Sequence, residues 1–331
     1  MKDGLKKKAL LTIGFLMIAG GLSLFLYYIY NLYSSGGNIP YKYVLKETGK
    51  PSKFTDLNIS GNEDLTIKKY ETRLPTIDKP VATFYTAERK NSPPVLIDYK
   101  SDSPFPVITL PVSNEVYQAL YKEILKNTGE GDLLMSWWDN CLRIKLFTER
   151  AVLADEHIGY PLFIPDIWQK HSKAISDFER GFWKGKTTKE GHERFKKYTD
   201  AMLSGEEEGY RILKDLSQGK RTFIVADFRD LTALNELTKG KFGVEYKEFV
   251  LAGDIHGTIK QVKVWMNEKG IKNYMVEPSS EGSVRVYYLT KDEDKAKLIA
   301  KLLPFTSSNP FNLEKFKLHY QKGSIYVYEL M

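Results

Sequence analysis

The chain has 331 residues, a formal net charge of +7 and one cysteine. With 42% apolar and 13% aromatic residues it lies far from disordered compositions, so a folded core is expected. A single cysteine, Cys141, excludes an internal disulfide, a Cys-x-x-Cys-His haem attachment and a cysteine-held iron–sulfur cluster, so no cofactor of those kinds is expected on this chain. Lysines are interleaved with Asp and Glu along the sequence, so the positive balance reads as solvated surface and no nucleic-acid partner is expected.

Residues Ala9 to Tyr33 carry no charge. About 20 apolar residues at 1.5 Å each cross a hydrocarbon core of about 30 Å, and a helix satisfies its own backbone polar groups there. Lys2, Lys6, Lys7 and Lys8 precede the run, and Tyr27, Tyr28, Tyr30 and Tyr33 crowd its far end. Positive flanks stay cytoplasmic and aromatic rings settle at interfaces, so the bulk of the chain is expected on the outer side, facing the periplasm or an equivalent lumen. A cleaved leader would have a shorter apolar stretch and a small-x-small site, where this run ends in tyrosines. The expectation is an uncleaved single-pass anchor in the inner membrane, with residues 9–33 in the lipid bilayer.

The chain then divides into a cytoplasmic tail (1–8), the transmembrane helix (9–33), a stalk (34–40), a β-rich segment (41–110), an α/β domain (111–240) and a ferredoxin-like α+β part (241–331). In the β-rich segment, Val81–Tyr85 and Val95–Tyr99 read as strands between proline-containing turns. Ser113 followed by Val116, Leu120, Ile124 and Leu125 reads as an N-capped amphipathic helix. Leu133–Ser136 reads as a short buried strand, with a helix plausible over Asn140–Thr148. Trp168–Trp183, His192–Met202 and Glu206–Leu216 read as helices, with Gly219 closing the last before a strand at Thr222–Ala226. Helix alternating with strand implies an α/β layer with parallel strands.

In the last third, strands are expected at Val244–Leu251, Lys272–Val276 and Val284–Leu289, with a turn at Ser279–Gly282. Helices are expected at Ile255–Lys269, capped by Asp254, and at Lys291–Leu303. A hairpin of Lys315–Tyr320 and Ser324–Glu329 ends the chain. That order, β-α-β-β-α-β-β, resembles a ferredoxin-like sandwich with an extra strand.

The most unusual local feature is Ser136-Trp137-Trp138-Asp139-Asn140. Two flat rings and a carboxylate after a buried strand can form a binding platform. They can equally form a rigid strand-to-helix corner with Asp139 capping the next helix. Arg143 lies four residues after Asp139 and would pair with it on a helix. Arg150, Asp155, Glu156 and His157 follow closely. Asp155-Glu156-His157 offers metal-ligand types, but three adjacent residues rarely all point at one ion, so a surface ion-pair network is the plainer reading. Trp137, Trp138, Asp139, Arg143, Arg150, Asp155 and His157 are the candidate binding residues. No catalytic or metal residue is named, because no nucleophile–base pair is visible.

Ser136–Asn140 resembles the Trp-Trp-Asp signature of oligosaccharyltransferase catalytic subunits, with Ile144, Arg150 and Asp155 at similar spacings and a similar helix-and-strand stretch at Ala201–Ala226. That family continues Tyr-Gly where this chain has Asn140-Cys141, and it needs many membrane helices bearing acidic metal ligands. Glycosyl transfer is therefore not carried over, which leaves a glycan- or lipid-linked-ligand-binding domain as the alternative function. A longer resemblance is to the hydroxylamine oxidation protein B (HaoB) family. It is carried by SWWDNCLRIKLFTER (136–150), ADEHIGYPLFIP (154–165), FERGFW (178–183), GDIHGTIKQVKVW (253–265) and LLPFTSSNP (302–310). It implies a membrane-anchored accessory protein, not itself an enzyme, beside a multihaem hydroxylamine oxidoreductase.

Overall fold

The computed structural model describes residues 39–59, 62–90, 92–101, 114–159, 164–185, 187–238, 240–250, 255–278 and 282–331. The apolar run at 9–33, most of the stalk, Ser113, the Gly253-Asp254 helix opening and positions 279–281 lie outside the described residues. Among the described residues no helix is long and apolar enough to cross a membrane.

An antiparallel sheet in sequential order comes first: β1 (Lys42–Gly49), β2 (Thr66–Arg73), β3 (Ala82–Glu88) and β4 (Val95–Ser101). Successive residues of a strand point to opposite faces. Phe84 accordingly joins the main core, while Tyr85 enters a second cluster with Phe54, Leu57, Ile67, Ile97 and Leu146. The strands at Val81–Tyr85 and Val95–Tyr99 are thus present, slightly longer than read. β1, with no buried residue, and β2, with only Ile67 and Thr72 buried, are of mixed polarity throughout and carry no periodic signal.

The chain then builds α1 (Asn114–Asn127), β5 (Leu133–Met135), α2 (Trp138–Thr148) and the two-residue β6 (Ala151–Val152). Three helices follow, α3 (Ser172–Trp183), α4 (Lys189–Leu203) and α5 (Glu206–Ser217), before β7 (Thr222–Asp227) and α6 (Phe228–Leu237). Every residue of β5 and β7 is buried, as expected of strands covered on both faces. β5 pairs parallel with both β6 and β7, which bears out the parallel α/β layer.

The C-terminal third departs from a single ferredoxin-like sandwich. β8 (Val244–Val250), α7 (Ile255–Lys269), β9 (Tyr274–Pro278) and β10 (Ser283–Leu289) form a split β-α-β unit, an antiparallel sheet of order β8-β10-β9. Val284 and Val286 meet Val262 and Met266 of α7, while Tyr287 turns the other way onto Phe228. The strand that would complete a ferredoxin-like sheet does not join it. The hairpin β11 (Phe316–Lys322) and β12 (Ile325–Leu330) leaves for the central sheet, where β12 pairs antiparallel with β7 in the order β11-β12-β7-β5-β6. Physically, β7 has an open edge lined with Phe223, Ile224 and Val225, and the apolar face of β12 covers it.

The helix expected over Lys291–Leu303 is also broken. A 3₁₀ turn at Asp292–Ala296 and α8 (Leu298–Leu302) flank Lys297, whose backbone is extended. Lys297 forms a β-bridge with Gly205, and Leu298 N–H donates to the Ser204 carbonyl at 2.7 Å. A backbone pairing to the α4–α5 connection thus replaces a turn of helix.

At that junction Gly209 is constrained. A Cβ there would lie 2.7 Å from the Ala201 carbonyl oxygen and 2.8 Å from Leu298 Cδ2. Helix propensity alone favours alanine over glycine by about 1 kcal/mol. The backbone oxygen of α4 cannot step aside as a flexible side chain could, so overpacking wins. Gly209→Ala is expected to lower unfolding free energy by about 1–3 kcal/mol, read as a reduced midpoint in urea; an unchanged or raised midpoint would show that α4 and α5 are free to separate.

Candidate functional site

β5 and β7 are neighbouring parallel strands, and each runs at its carboxyl end into a helix. Ligand sites of α/β sheets assemble at such ends. Ser136 Oγ donates to the Val225 carbonyl at 2.7 Å and ties the two exits together. Trp137 is the N-cap of α2 with extended ψ, and Trp138 opens the helix. Asp139 is therefore in the first turn and does not cap it, a correction of one residue or two to the corner read from sequence. On the other side Asp227 caps α6 in a reciprocal capping box: it accepts from Arg229 N–H at 3.1 Å, while Asp230 Oδ2 accepts from Asp227 N–H at 3.0 Å.

Between the two corners lies a buried polar network. The Asn140 amide oxygen accepts from Arg143 Nη2 at 2.6 Å and Arg229 Nη2 at 2.7 Å, and the Tyr117 hydroxyl oxygen lies 3.0 Å away. Asp139 Oδ2 accepts from Arg143 at 3.3 Å and Arg229 at 3.2 Å. Asp227 Oδ2 accepts from Arg229 Nε at 3.3 Å and from Tyr117 OH. The Arg143 guanidinium stacks on the Tyr117 ring, 4.0 Å from its centroid, and is fully buried. Burial, followed by the neighbouring Asp227, holds the Asp230 carboxyl well above the usual carboxylate range. The Cys141 thiol, buried against the Ser136 carbonyl, is pushed up to about 12 by burial and is not a reactive thiolate.

A second buried group adjoins the first. His157 lies edge-on to Trp138 at 4.5 Å and stacked on Trp183 at 5.6 Å. Trp183 Nε1 donates to Glu179 Oε2 at 2.7 Å, and Glu179 Oε1 accepts from Tyr41 and, at 2.6 Å, from Tyr43. Burial lowers the His157 pKa to about 4, opposed by the Asp139 carboxylate. Burial also raises the Glu179 pKa, opposed by the hydrogen bonds from the two tyrosines.

Of the residues singled out in sequence, Trp138, Asp139, Arg143 and His157 come together here. Trp137 and Trp138 are 6% and 3% exposed, and Trp137 packs edge-on to Phe195 of α4, so both rings belong to the core. Arg150 and Asp155 lie elsewhere. Arg150 donates to Thr128 Oγ1 at 3.1 Å and the Thr128 carbonyl at 3.0 Å, closing the end of α1. Asp155 pairs with Lys145 at 2.6 Å, and that hydrogen bond lowers its pKa. Glu156 instead accepts from Thr188 N–H at 2.6 Å and Thr188 Oγ1 at 2.7 Å at the start of α4. The Asp155-Glu156-His157 trio thus diverges toward three partners, and among the described residues no group of three or more His, Cys, Asp and Glu could hold a metal ion.

Sequence reasoning missed Tyr117, Asn140, Asp227, Arg229 and Glu179. Two signals could have found some of them. Asp227 and Asp230 stand at the spacing of a capping box directly after a buried strand, and Glu179 stands four residues before Trp183 on one helix.

A family model described as "HaoA-associated protein HaoB" matches residues 6–330. No curated protein matches the chain. Among solved structures, similarity is found to the C-terminal globular domain of an oligosaccharyltransferase from Archaeoglobus fulgidus, at 13% identity and TM-score 0.32, covering 65% of this chain and 96% of that one. It is also found to the C-terminal domain of PglB from C. jejuni, at 9% identity and TM-score 0.38, covering 65% of this chain and 99% of that one.

Two outcomes follow from the geometry. Arg229→Met takes the Arg229 guanidinium from buried Asp139 and Asp227 and removes one of the two guanidinium donors from Asn140, so a loss of about 3–5 kcal/mol of unfolding free energy is expected. Equilibrium denaturation measures it, and a loss below about 1 kcal/mol, the level of a surface pair, would mean that the network is not closed. The second concerns pH. His157 has a folded pKa of about 4 against 6.5 unfolded, so the unfolded chain takes up the proton first. Stability is unaffected above pH 6.5 and falls as pH drops from there to about 4. Asp98, whose carboxyl burial raises to about 6, has the opposite sign between its unfolded value and pH 6. Comparing the wild type with His157→Phe cancels that background. The variant should gain on the wild type by about 3 kcal/mol between pH 7 and pH 4; parallel curves would refute the burial of the neutral ring.

Proposed function

The chain belongs to the family of the HaoA-associated protein HaoB, and from that premise we propose that it is a membrane-anchored accessory protein of hydroxylamine oxidation. In this reading it holds a multihaem hydroxylamine oxidoreductase at the outer face of the cytoplasmic membrane. The observation that carries the reading is the extent of the family match. It begins at residue 6 and ends at residue 330, so the basic flank, the apolar run at 9–33 and the folded part are shared as one unit.

Three further points support it. The chain has one cysteine, buried and protonated, and so offers no thiolate pair for haem attachment. An accessory role needs no electron relay of its own. The acidic and basic side chains of the Trp-Trp-Asp corner serve as structural ties between α2, β7 and α6. A single anchor raises the concentration of a soluble partner near the membrane by confining it to the reach of the tether, which improves capture without any new contact. The oxidoreductase would supply the redox chemistry and this chain would supply its position.

Extraction of the full-length chain from native membranes in mild non-ionic detergent, followed by affinity capture and staining for covalent haem, tests the reading. A haem protein of the oxidoreductase's size should co-elute in near-stoichiometric amount. Protease added to intact spheroplasts should at the same time degrade the folded part. Absence of haem protein from the eluate under gentle conditions would end the proposal, as would a folded part protected from protease.

A further inference from the structure

We infer that the pole where the chain enters its folded part is a lipid-contacting surface, built from the β2–β3 connection and the segment before α3. The inference rests on the anchor reading above and goes beyond it: an anchor alone leaves the folded part free to tumble on its stalk, whereas a contacting pole fixes its orientation.

Distance along the chain comes first. If the apolar run ends at Tyr33, Ile39 follows six residues later and can stand at most about 20 Å from the membrane surface. Ile39 does not end in solvent. It packs in a small cluster with Tyr41, Tyr43, Leu74, Ile164, Trp168, Ile175 and Phe178, with Tyr41 and Trp168 rings 5.5 Å apart. The cluster is therefore at the membrane-proximal end whatever the rest of the domain does.

Two exposed apolar side chains lie close to members of this cluster along the chain. Ile167, beside Trp168 in the 3₁₀ segment Asp166–His171, is 76% exposed. Ile77 is also exposed, at the tip of a turn in which its N–H donates to the Leu74 carbonyl at 3.3 Å. Both segments are held in shape. Trp168 N–H donates to the Pro165 carbonyl at 2.8 Å, Gln169 Nε2 to the Ile164 carbonyl at 2.8 Å, and Arg73 Nη1 to the Asp78 carbonyl at 3.2 Å. Exposed Lys79, Lys170 and Lys173 flank the two isoleucines, alongside exposed Asp78 and Asp166. Apolar tips with an adjoining indole and lysines around them are the composition of interfacial contacts, in which side chains enter the headgroup region by about 5–10 Å. A protein partner could cover isolated isoleucines equally well on chemistry alone. The short tether decides for lipid, because it puts this pole against the bilayer before any partner arrives.

Cys141 is buried and protonated, so an introduced cysteine is the one that labels. Ile167→Cys in the full-length chain, labelled with an environment-sensitive fluorophore, is reconstituted into phosphatidylcholine–phosphatidylglycerol vesicles containing nitroxide lipids. Phe311→Cys is the control, since Phe311 has the same exposure, 77%, on the connection between α8 and β11. Quenching at position 167 should exceed that at position 311 by at least about threefold, as insertion into the headgroup layer requires, and Ile77→Cys should behave like Ile167→Cys. Flotation of the same vesicles reports the anchor separately. A chain that floats with equal quenching at 167 and 311 overturns the contacting pole and leaves the anchor standing. A chain that fails to float overturns both.

Discussion

One amide oxygen organises the centre of this fold. Asn140 Oδ1 accepts hydrogen bonds from Arg143 and Arg229, which come from two different helices, and the Tyr117 hydroxyl of a third lies 3.0 Å away. An amide oxygen has two lone pairs, so the two guanidinium donors fill it, and each arrives from a side chain that has little freedom where it is buried. Two guanidiniums would not approach one another in a dry interior without acceptors between them. Asn140, Asp139 and Asp227 supply those acceptors, and so the exits of β5 and β7 must hold a fixed separation and α1 must lie across them. The parallel pairing of β5 with β7 and the route of β12 along the other edge of β7 are compatible with one spacing of those exits, and the network sets it.

The network also extends toward the N-terminus. Trp138 adjoins the ionic cluster on one side and His157 on the other, His157 stacks on Trp183, and Trp183 shares Glu179 with Tyr43 of β1 and with Tyr41 just before it. The strand nearest the chain entry is thereby coupled through packed, hydrogen-bonded groups to the middle of the central sheet. Burial acts on two of its titratable members in opposite directions: it lowers the His157 pKa to about 4 and raises that of Glu179. A link of that kind is stiff because moving any member exposes an unsatisfied polar atom.

Much of the fold was legible where burial imposes a period. α1, α4, α5 and α7 have apolar stripes at helical spacing, and β5 and β7 are short runs buried on both faces. What was illegible was set by distant partners. β1 and β2 carry mixed polarity because one edge and part of one face meet solvent. The destination of β11 and β12 depends on an open edge about a hundred residues earlier, which no local pattern encodes. Lys297 leaves its helix for a backbone bridge to Gly205, and the sequence around it still reads as helix. In the site, Trp138, Asp139, Arg143 and His157 were found because their residue types are rare in such density. Arg229 and Glu179 were not, because an arginine after a strand and a glutamate within a helix are ordinary until the fold shows them to be buried.

The same residue types serve chemistry and architecture, and saturation is what separates the two uses. A catalytic acid, base or anion clamp keeps capacity in hand for a substrate, in a cleft that a substrate can enter. Asn140 has its acceptor filled by neighbours, although its amide nitrogen and Arg143 Nε and Nη1 are buried without a hydrogen-bond partner among the described residues; Glu179 is shared among Tyr41, Tyr43 and Trp183, and Glu156 is spent on the start of α4. Trp137 and Trp138 have their faces covered. The chemical vocabulary of the Trp-Trp-Asp corner is therefore turned inward, where its rings and charged groups tie the exits of the central strands together.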